Sequence, residues 1–344
     1  MLKTLKLSTA LLLATVLGSP LVTAKTVQDV RGNQIELPDQ VNRIADLWPA
    51  NNQIVLLLGG ADKLVGTVSV VSNNPWFKEV YPNIANVPAL TNGQSVQLES
   101  LLGQKPDAVL LSSPAMLKEV EQAGLKGVLA SFQNFAGLKN TVRITAEVIG
   151  DNAPQIAEEY IKELEGNMAF VAERLKNVPA EQKPTVIHIS NGNNLLRIDG
   201  GKSMIGEWVS FAGGKNALSD QANLVEVTME DVIKANPDII IIGGFGADKG
   251  IEKLKADPLW ASLNAVKNGK VFVNPLGTFP WDRYSAEEAL QILWAAKTFH
   301  PDLFKDVDIA AKAQAFYKKY YNYDLSTENA NRMLNGLPPV QAKN

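Results

Sequence analysis

The sequence predicts an α/β protein of two Rossmann-like lobes with mainly parallel sheets, joined by a single long α-helix. Three observations carry this. Ile156, Tyr160, Leu164, Met168, Val171 and Leu175 recur at steps of three and four with Glu, Lys and Arg between them, the pattern of one amphipathic helix over 152–178. On either side, short apolar runs alternate with helical stretches, as in parallel sheets covered on both faces. The third is a repeat. Leu98-Glu99-Ser100-Leu101-Leu102 and Lys105-Pro106-Asp107-Ala108-Val109-Leu110-Leu111 align without gaps to Met229-Glu230-Asp231-Val232-Ile233 and Asn236-Pro237-Asp238-Ile239-Ile240-Ile241-Ile242, at a constant offset of 131 residues.

The domains follow from that pattern: a leader over 1–24, a first lobe over 25–150, the connecting helix over 151–178, a second lobe over 179–336 and a frayed tail over 337–344. In the leader a basic start, Lys3 and Lys6, precedes an apolar run over 7–17 and the small-residue site Val22-Thr23-Ala24. That is a secretory signal peptide cleaved near Ala24, too short in its apolar run to span a bilayer. No later stretch is apolar for long enough to do so.

In the first lobe, 27–37 reads as a hairpin about Gly32-Asn33. The run 44–47 is a buried strand that feeds Trp48-Pro49-Ala50-Asn51-Asn52 and a helix over 54–58, closed by Gly59-Gly60. Strands follow at 65–70, 108–111 and 128–132, with helices over 98–102 and 117–123. Past the connecting helix, 185–189, 239–242 and 271–273 read as strands. Residues 204–212, 286–299 and 316–323 read as helices. Pro154 suits the first turn of the connecting helix, and no proline interrupts that helix afterwards.

Composition bounds the chemistry. The formal charge of −3 becomes −5 once Lys3 and Lys6 leave with the signal peptide. A mildly acidic chain without Lys/Arg clusters argues against nucleic acid or an anionic membrane as partner. There is no cysteine, hence no disulfide and no acylatable residue for a lipoprotein anchor; a chain of 344 residues builds its cores without either. Gly-x-Ser-x-Gly, His-Glu-x-x-His and a Gly-rich phosphate loop with Lys are all missing, which weighs against a hydrolase using Asp and Glu. Only His188 and His300 are present, too few imidazoles for a bare zinc or manganese site. No cofactor is expected, and a metal would arrive already chelated. A bare metal held by carboxylates is the weaker option.

At the paired Glu units, the central helix and the closing Trp281-Asp282-Arg283-Tyr284-Ser285-Ala286-Glu287-Glu288 segment, the chain resembles the periplasmic solute-binding proteins of ABC importers for iron chelates and vitamin B12. The resemblance spans the whole chain after the leader. It implies a monomeric periplasmic receptor, not an enzyme, that delivers a small molecule to an inner-membrane permease with its ATPase. It further implies that Glu99 and Glu230, one in each lobe, dock onto basic residues of that permease, where two carboxylates on a stiff frame set orientation.

Ligands of open α/β sheets sit beyond the carboxyl ends of the strands, which here means the cleft between lobes. The candidates are the loop residues Trp48, Asn51, Asn52, Ser69, Asn73, Asn74, Trp76, Ser112 and Ser113 from the first lobe. The second lobe offers Asn191, Asn194, Arg197, Phe245, Phe279, Trp281, Arg283 and Tyr284. Arg197 and Arg283 are the sharpest, because a guanidinium stays charged and offers paired donors to oxyanion, carboxylate or catecholate oxygens. Such a lining suits a moderately large, planar or anionic ligand, and with the family resemblance it implies an anionic metal chelate, with a ferric siderophore as first choice. A nickel chelate, haem, a corrinoid or an oxyanion such as molybdate would suit a similar cleft.

Overall fold

The computed structural model describes residues 24–244 and 246–340. An antiparallel hairpin, Ala24–Gln28 with Gln34–Pro38, opens the described chain. Its turn is tied by the Asp29 carboxylate, which accepts from the backbone N–H groups of Arg31 and Asn33 at 2.8 and 2.9 Å.

The first lobe holds a four-stranded sheet in the order Leu64–Gly66, Ile44–Asp46, Ala108–Leu111, Gly127–Leu129, with every pair parallel. The second holds six strands. Thr185–Ile189, Ile239–Ile242, Val271–Val273 and Lys215–Asn216 pair in parallel, while Arg197–Asp199 and Val225–Glu226 extend the sheet antiparallel. The central strands Ala108–Leu111 and Ile239–Ile242 are buried throughout, which is why both are apolar at every position.

The 131-residue repeat extends to backbone chemistry. Asp107 accepts from the N–H groups of Asn42 and Arg43, and Asp238 from the N–H of Thr185, so each aspartate pins the start of the neighbouring strand. Lys105 and Asn236, the residues ahead of each Pro-Asp turn, both take positive φ, 46° and 36°. Offset and conformation coincide, so the lobes share one building plan.

The connecting helix is Ala153–Leu175, 23 residues, about 34 Å at 1.5 Å per residue. Ala157, Tyr160, Ile161, Leu164, Val171 and Leu175 are buried along it, against the helices Phe135–Ile149 and Glu288–Phe299. The Tyr160 hydroxyl donates to the Ala286 carbonyl at 2.7 Å, and the Asn167 amide to that of Ala289 at 2.8 Å. Among the described residues no helix is long and apolar enough to cross a membrane. The signal-peptide expectation falls on residues 1–23, outside the described residues, and on Ala24, the first residue of the hairpin.

Several local expectations change, among them the helix expected over 54–58, which is Pro49–Leu57 and carries Asn51 and Asn52, nominated as loop residues. The strand expected over 65–70 stops at Gly66, and Ser69–Ser72 is one helical turn because Val71 packs into the core there. The strand expected over 128–132 ends at Leu129. Residues 337–340, expected to fray, are tied down: the Leu337 carbonyl accepts the Trp76 indole N–H at 3.0 Å, and the Val340 N–H is donated to Asn329.

The C-terminal helix Ile309–Tyr321 and the loop after it, expected in the second lobe, also reach the first. The Gln53 amide donates to the Tyr321 hydroxyl at 2.5 Å, and the Tyr323 hydroxyl to Glu79 at 2.7 Å. Beneath this brace Glu287 accepts from Thr278, Tyr317 and Tyr321. Burial pushes its carboxyl up to about 7 despite those three donors.

Candidate functional site

The site is built where strand ends of the two lobes meet. In the first lobe Asp46 closes the strand Ile44–Asp46 and is fully buried. Burial pushes its carboxyl well above the ordinary range, against the hydrogen bonds it accepts from the Trp48 N–H and the Asn51 amide at 3.1 and 2.9 Å. Thr145 anchors Asn51 from the far side at 3.0 Å. This clip fixes Trp48, the N-cap of helix Pro49–Leu57, with its ring half-buried at the seam. Phe132 and Gln133 come from the loop after Gly127–Leu129.

In the second lobe the segment 276–287 crosses the seam. His188, on a central strand, holds it: Nδ1 lies 2.9 Å from Asp199 and Nε2 2.7 Å from Asp282, all three side chains without exposure. A neutral imidazole has one N–H, whereas both contacts here face carboxylate oxygens, so the imidazolium is the form that satisfies them. Burial works against the charged ring, and the two aspartates override it and raise the His188 pKa. Burial would likewise raise Asp199, yet the His188 hydrogen bond and charge, with the Arg283 charge, hold it down at about 2. Arg283 pairs with Asp199 and keeps 15% of its side chain exposed. The cluster therefore sets the Arg283 and His188 cations against the carboxyl groups of Asp199 and Asp282.

Gly243 makes room for this cluster. A Cβ at that position would stand 2.1 Å from Asp282 Oδ2 and 3.0 Å from the His188 ring. Gly243→Ala is expected to push the His188–Asp282 pair apart and to lower stability by about 1–3 kcal/mol, read from the denaturant midpoint. An unchanged midpoint would mean that the pair tolerates displacement.

Across the seam Trp48, Phe132 and Tyr284 form a triangle with ring centroids 5.3, 5.7 and 6.1 Å apart. Tyr284 takes φ 53°, a left-handed conformation that a non-glycine residue holds only against strain. Its hydroxyl donates to Gln133 at 3.0 Å and accepts from the Asn223 amide at 2.9 Å. The Asn223 oxygen beside it is buried without a partner. Aromatic rings, amides and one guanidinium thus face each other across a narrow seam. Among the described residues no group of three or more His, Asp or Glu is placed to hold a metal ion.

The sequence profile described as "Periplasmic binding protein" matches residues 44–275. The chain belongs to the periplasmic binding protein family. Among its relatives is the molybdate-binding protein MolA of Haemophilus influenzae, 27% identical over 94% of this chain and 99% of MolA. The iron(3+)-hydroxamate-binding protein YxeB of Bacillus subtilis is 22% identical over 78% of this chain and 84% of YxeB. Among solved structures, a periplasmic solute binding protein from Veillonella parvula superposes with a TM-score of 0.79 at 26% identity, covering 91% of this chain and 97% of that one. MolA bound to molybdate gives 0.77 at 24%, covering 88% and 99%. This binding protein has the helical-backbone architecture of its neighbours, is the substrate-binding component of an ABC importer rather than an enzyme, and works with a permease and its ATPase.

Of the residues nominated from sequence, the binding protein brings Trp48, Arg283 and Tyr284 together at the seam. Trp76 and Trp281 lie in the core instead, 1% and 0% exposed. Asn74 caps the helix Pro75–Val80 and donates to the Thr278 carbonyl. Asn52 is buried, clipped to the Asp46 and Trp48 carbonyls and to Thr67. Ser69 and Asn73 are exposed at the two ends of one helical turn. Asn194 donates to Glu226, and Arg197 is exposed on the neighbouring strand. Phe245 lies outside the described residues.

Phe132, Gln133, Asp199 and Asn223 were not among the nominations. The strand-end rule reaches Phe132 and Gln133 once the strand is ended at Leu129 rather than three residues later. No local signal marks Asn223 or the pairing of Asp199 with Arg283. Glu99 and Glu230 stand exposed in the first turns of Leu98–Gly103 and Met229–Ala235.

Proposed function

We propose that this importer component captures a small oxyanion of the molybdate class at the seam between its lobes, with Arg283 as the charge partner. The observation that carries this is the packed triangle of Trp48, Phe132 and Tyr284 beside Arg283. Rings packed this closely would have to part only slightly for a compact anion but much further for a siderophore-sized chelate. The likeness to molybdate-binding MolA supports the same reading. It reverses the order expected from sequence, where a ferric siderophore came first and an oxyanion was the alternative. Desolvated rings would strengthen the guanidinium–oxyanion contact, and the Tyr284 hydroxyl, turned from Gln133 toward the anion, would fix orientation. Because one helix joins the lobes, capture would need only a small movement. The anion would be taken up in the periplasm and handed to the permease through Glu99 and Glu230.

Thermal unfolding against molybdate, tungstate, sulfate, ferric hydroxamate, ferric citrate, nickel-histidine, haem and cobalamin tests the proposal. A ligand of the native state adds about 2.7 kcal/mol at a hundredfold excess over its dissociation constant. A raised midpoint with molybdate or tungstate is the expected result. A rise with ferric hydroxamate alone, the ligand class named for YxeB, would overturn the oxyanion and restore the chelate.

A further inference from the structure

At matching points of the repeat, each lobe exposes a carboxylate and, one turn further along the same helix, a large aliphatic side chain. In Leu98–Gly103 the residue Leu101 is buried, but its neighbour Leu102 is 42% exposed; in Met229–Ala235 Val232 is buried and Ile233 is again 42% exposed. Leu102 and Ile233 are separated by the same 131 residues as Glu99 and Glu230. The i, i+3 spacing puts Glu99 beside Leu102 and Glu230 beside Ile233 on the helix surface. The core accounts for Leu101 and Val232 but not for their neighbours, since Lys or Gln would serve an exposed helical position as well as a branched aliphatic. Apart from a first-turn position that suits the helix dipole, neither glutamate serves as a cap. The second helix is capped by Thr228 with Asp231, and the first has no side-chain cap. Neither Glu99 nor Glu230 forms an ion pair among the described residues.

We propose that the permease is gripped through two equivalent couples, Glu99 with Leu102 and Glu230 with Ile233, each meeting a basic side chain set beside an apolar hollow. This rests on the importer reading and extends it from the carboxylates to their aliphatic neighbours. Couples that repeat from lobe to lobe match a partner that offers the same surface twice, as two related subunits do. The division of labour is physical. The carboxylates steer and orient, and salt screens them. The aliphatic side chains supply burial that salt does not screen.

The test uses the full chain and its permease–ATPase complex in lipid nanodiscs, with docking read as affinity and as stimulation of ATP hydrolysis at low and high salt. Leu102→Ser with Ile233→Ser is expected to weaken docking by about tenfold per residue while keeping the salt dependence. Glu99→Gln with Glu230→Gln is expected to flatten the salt dependence. Thermal midpoints and molybdate binding should be unchanged in both, because all four side chains point to solvent. If the serine pair docks like the parent while the glutamine pair fails, the aliphatic half is overturned and the carboxylate docking stands. If both pairs dock like the parent, these helices are not the docking face and both readings fall.

Discussion

Replacing His188 by leucine is expected to lower stability by about 3–5 kcal/mol at pH 7, because it leaves Asp199 and Asp282 facing each other without the cation between them. Arg283 still pairs with Asp199 and lies close enough to Asp282 to feel its charge, so it offsets part of the loss. The dependence on pH has a definite sign. A histidine whose pKa is raised by folding contributes stability that is complete below its ordinary value and fades as pH rises through the raised one. The depressed Asp199 contributes above the ordinary aspartate value and fades as pH falls toward about 2. The gap between parent and His188→Leu should therefore be widest between the ordinary aspartate and histidine values. It should narrow in acid, where the parent's Asp199 takes up its proton, and in base, where the parent loses its imidazolium. Urea unfolding from pH 4 to pH 9 measures it. A variant as stable as the parent at pH 7 would show that the ring is not held as a cation.

Arg283→Ala should abolish most of the affinity for the anion while leaving the fold in place. A hydrogen bond to a charged group contributes about 1.5–3 kcal/mol, and each 1.4 kcal/mol is tenfold in affinity. The expected loss in a molybdate titration is thus about tenfold to more than a hundredfold. Asp199 keeps its bonds from His188 and from the Leu224 N–H, so the lobe retains its anchor. Arg283→Lys keeps the charge but loses the planar fork and should fall between. Calorimetric titration with molybdate separates the three proteins, and equal affinity in all of them would remove Arg283 from the site.

The parts of this molecule that could be read from its sequence are those set by local pattern. Ala108–Leu111 and Ile239–Ile242 declared themselves as uninterrupted apolar runs, and the connecting helix as a stripe at steps of three and four. Trp76 was misjudged although its signal was local. Asn74 and Pro75 beside it mark a helix start, cap and first position, rather than a loop, and a tryptophan in that first turn packs inward. The helix Phe135–Ile149 also had its cap in Asn134 and its stripe in Leu138, Val142 and Ile149. The His188 cluster was beyond such reading. Its partners lie 11 and 94 residues away, and only the crossing of 276–287 over the seam brings them to one ring.

The contacts made by the last residues bear on the order in which the molecule can be finished. Trp76, Glu79 and Gln53 all belong to the first half of the chain, yet each takes a partner between Tyr321 and Leu337. A chain made from its amino end therefore holds an incomplete first lobe until almost its whole length is available, and that lobe, the earliest to be synthesised, is among the last to close.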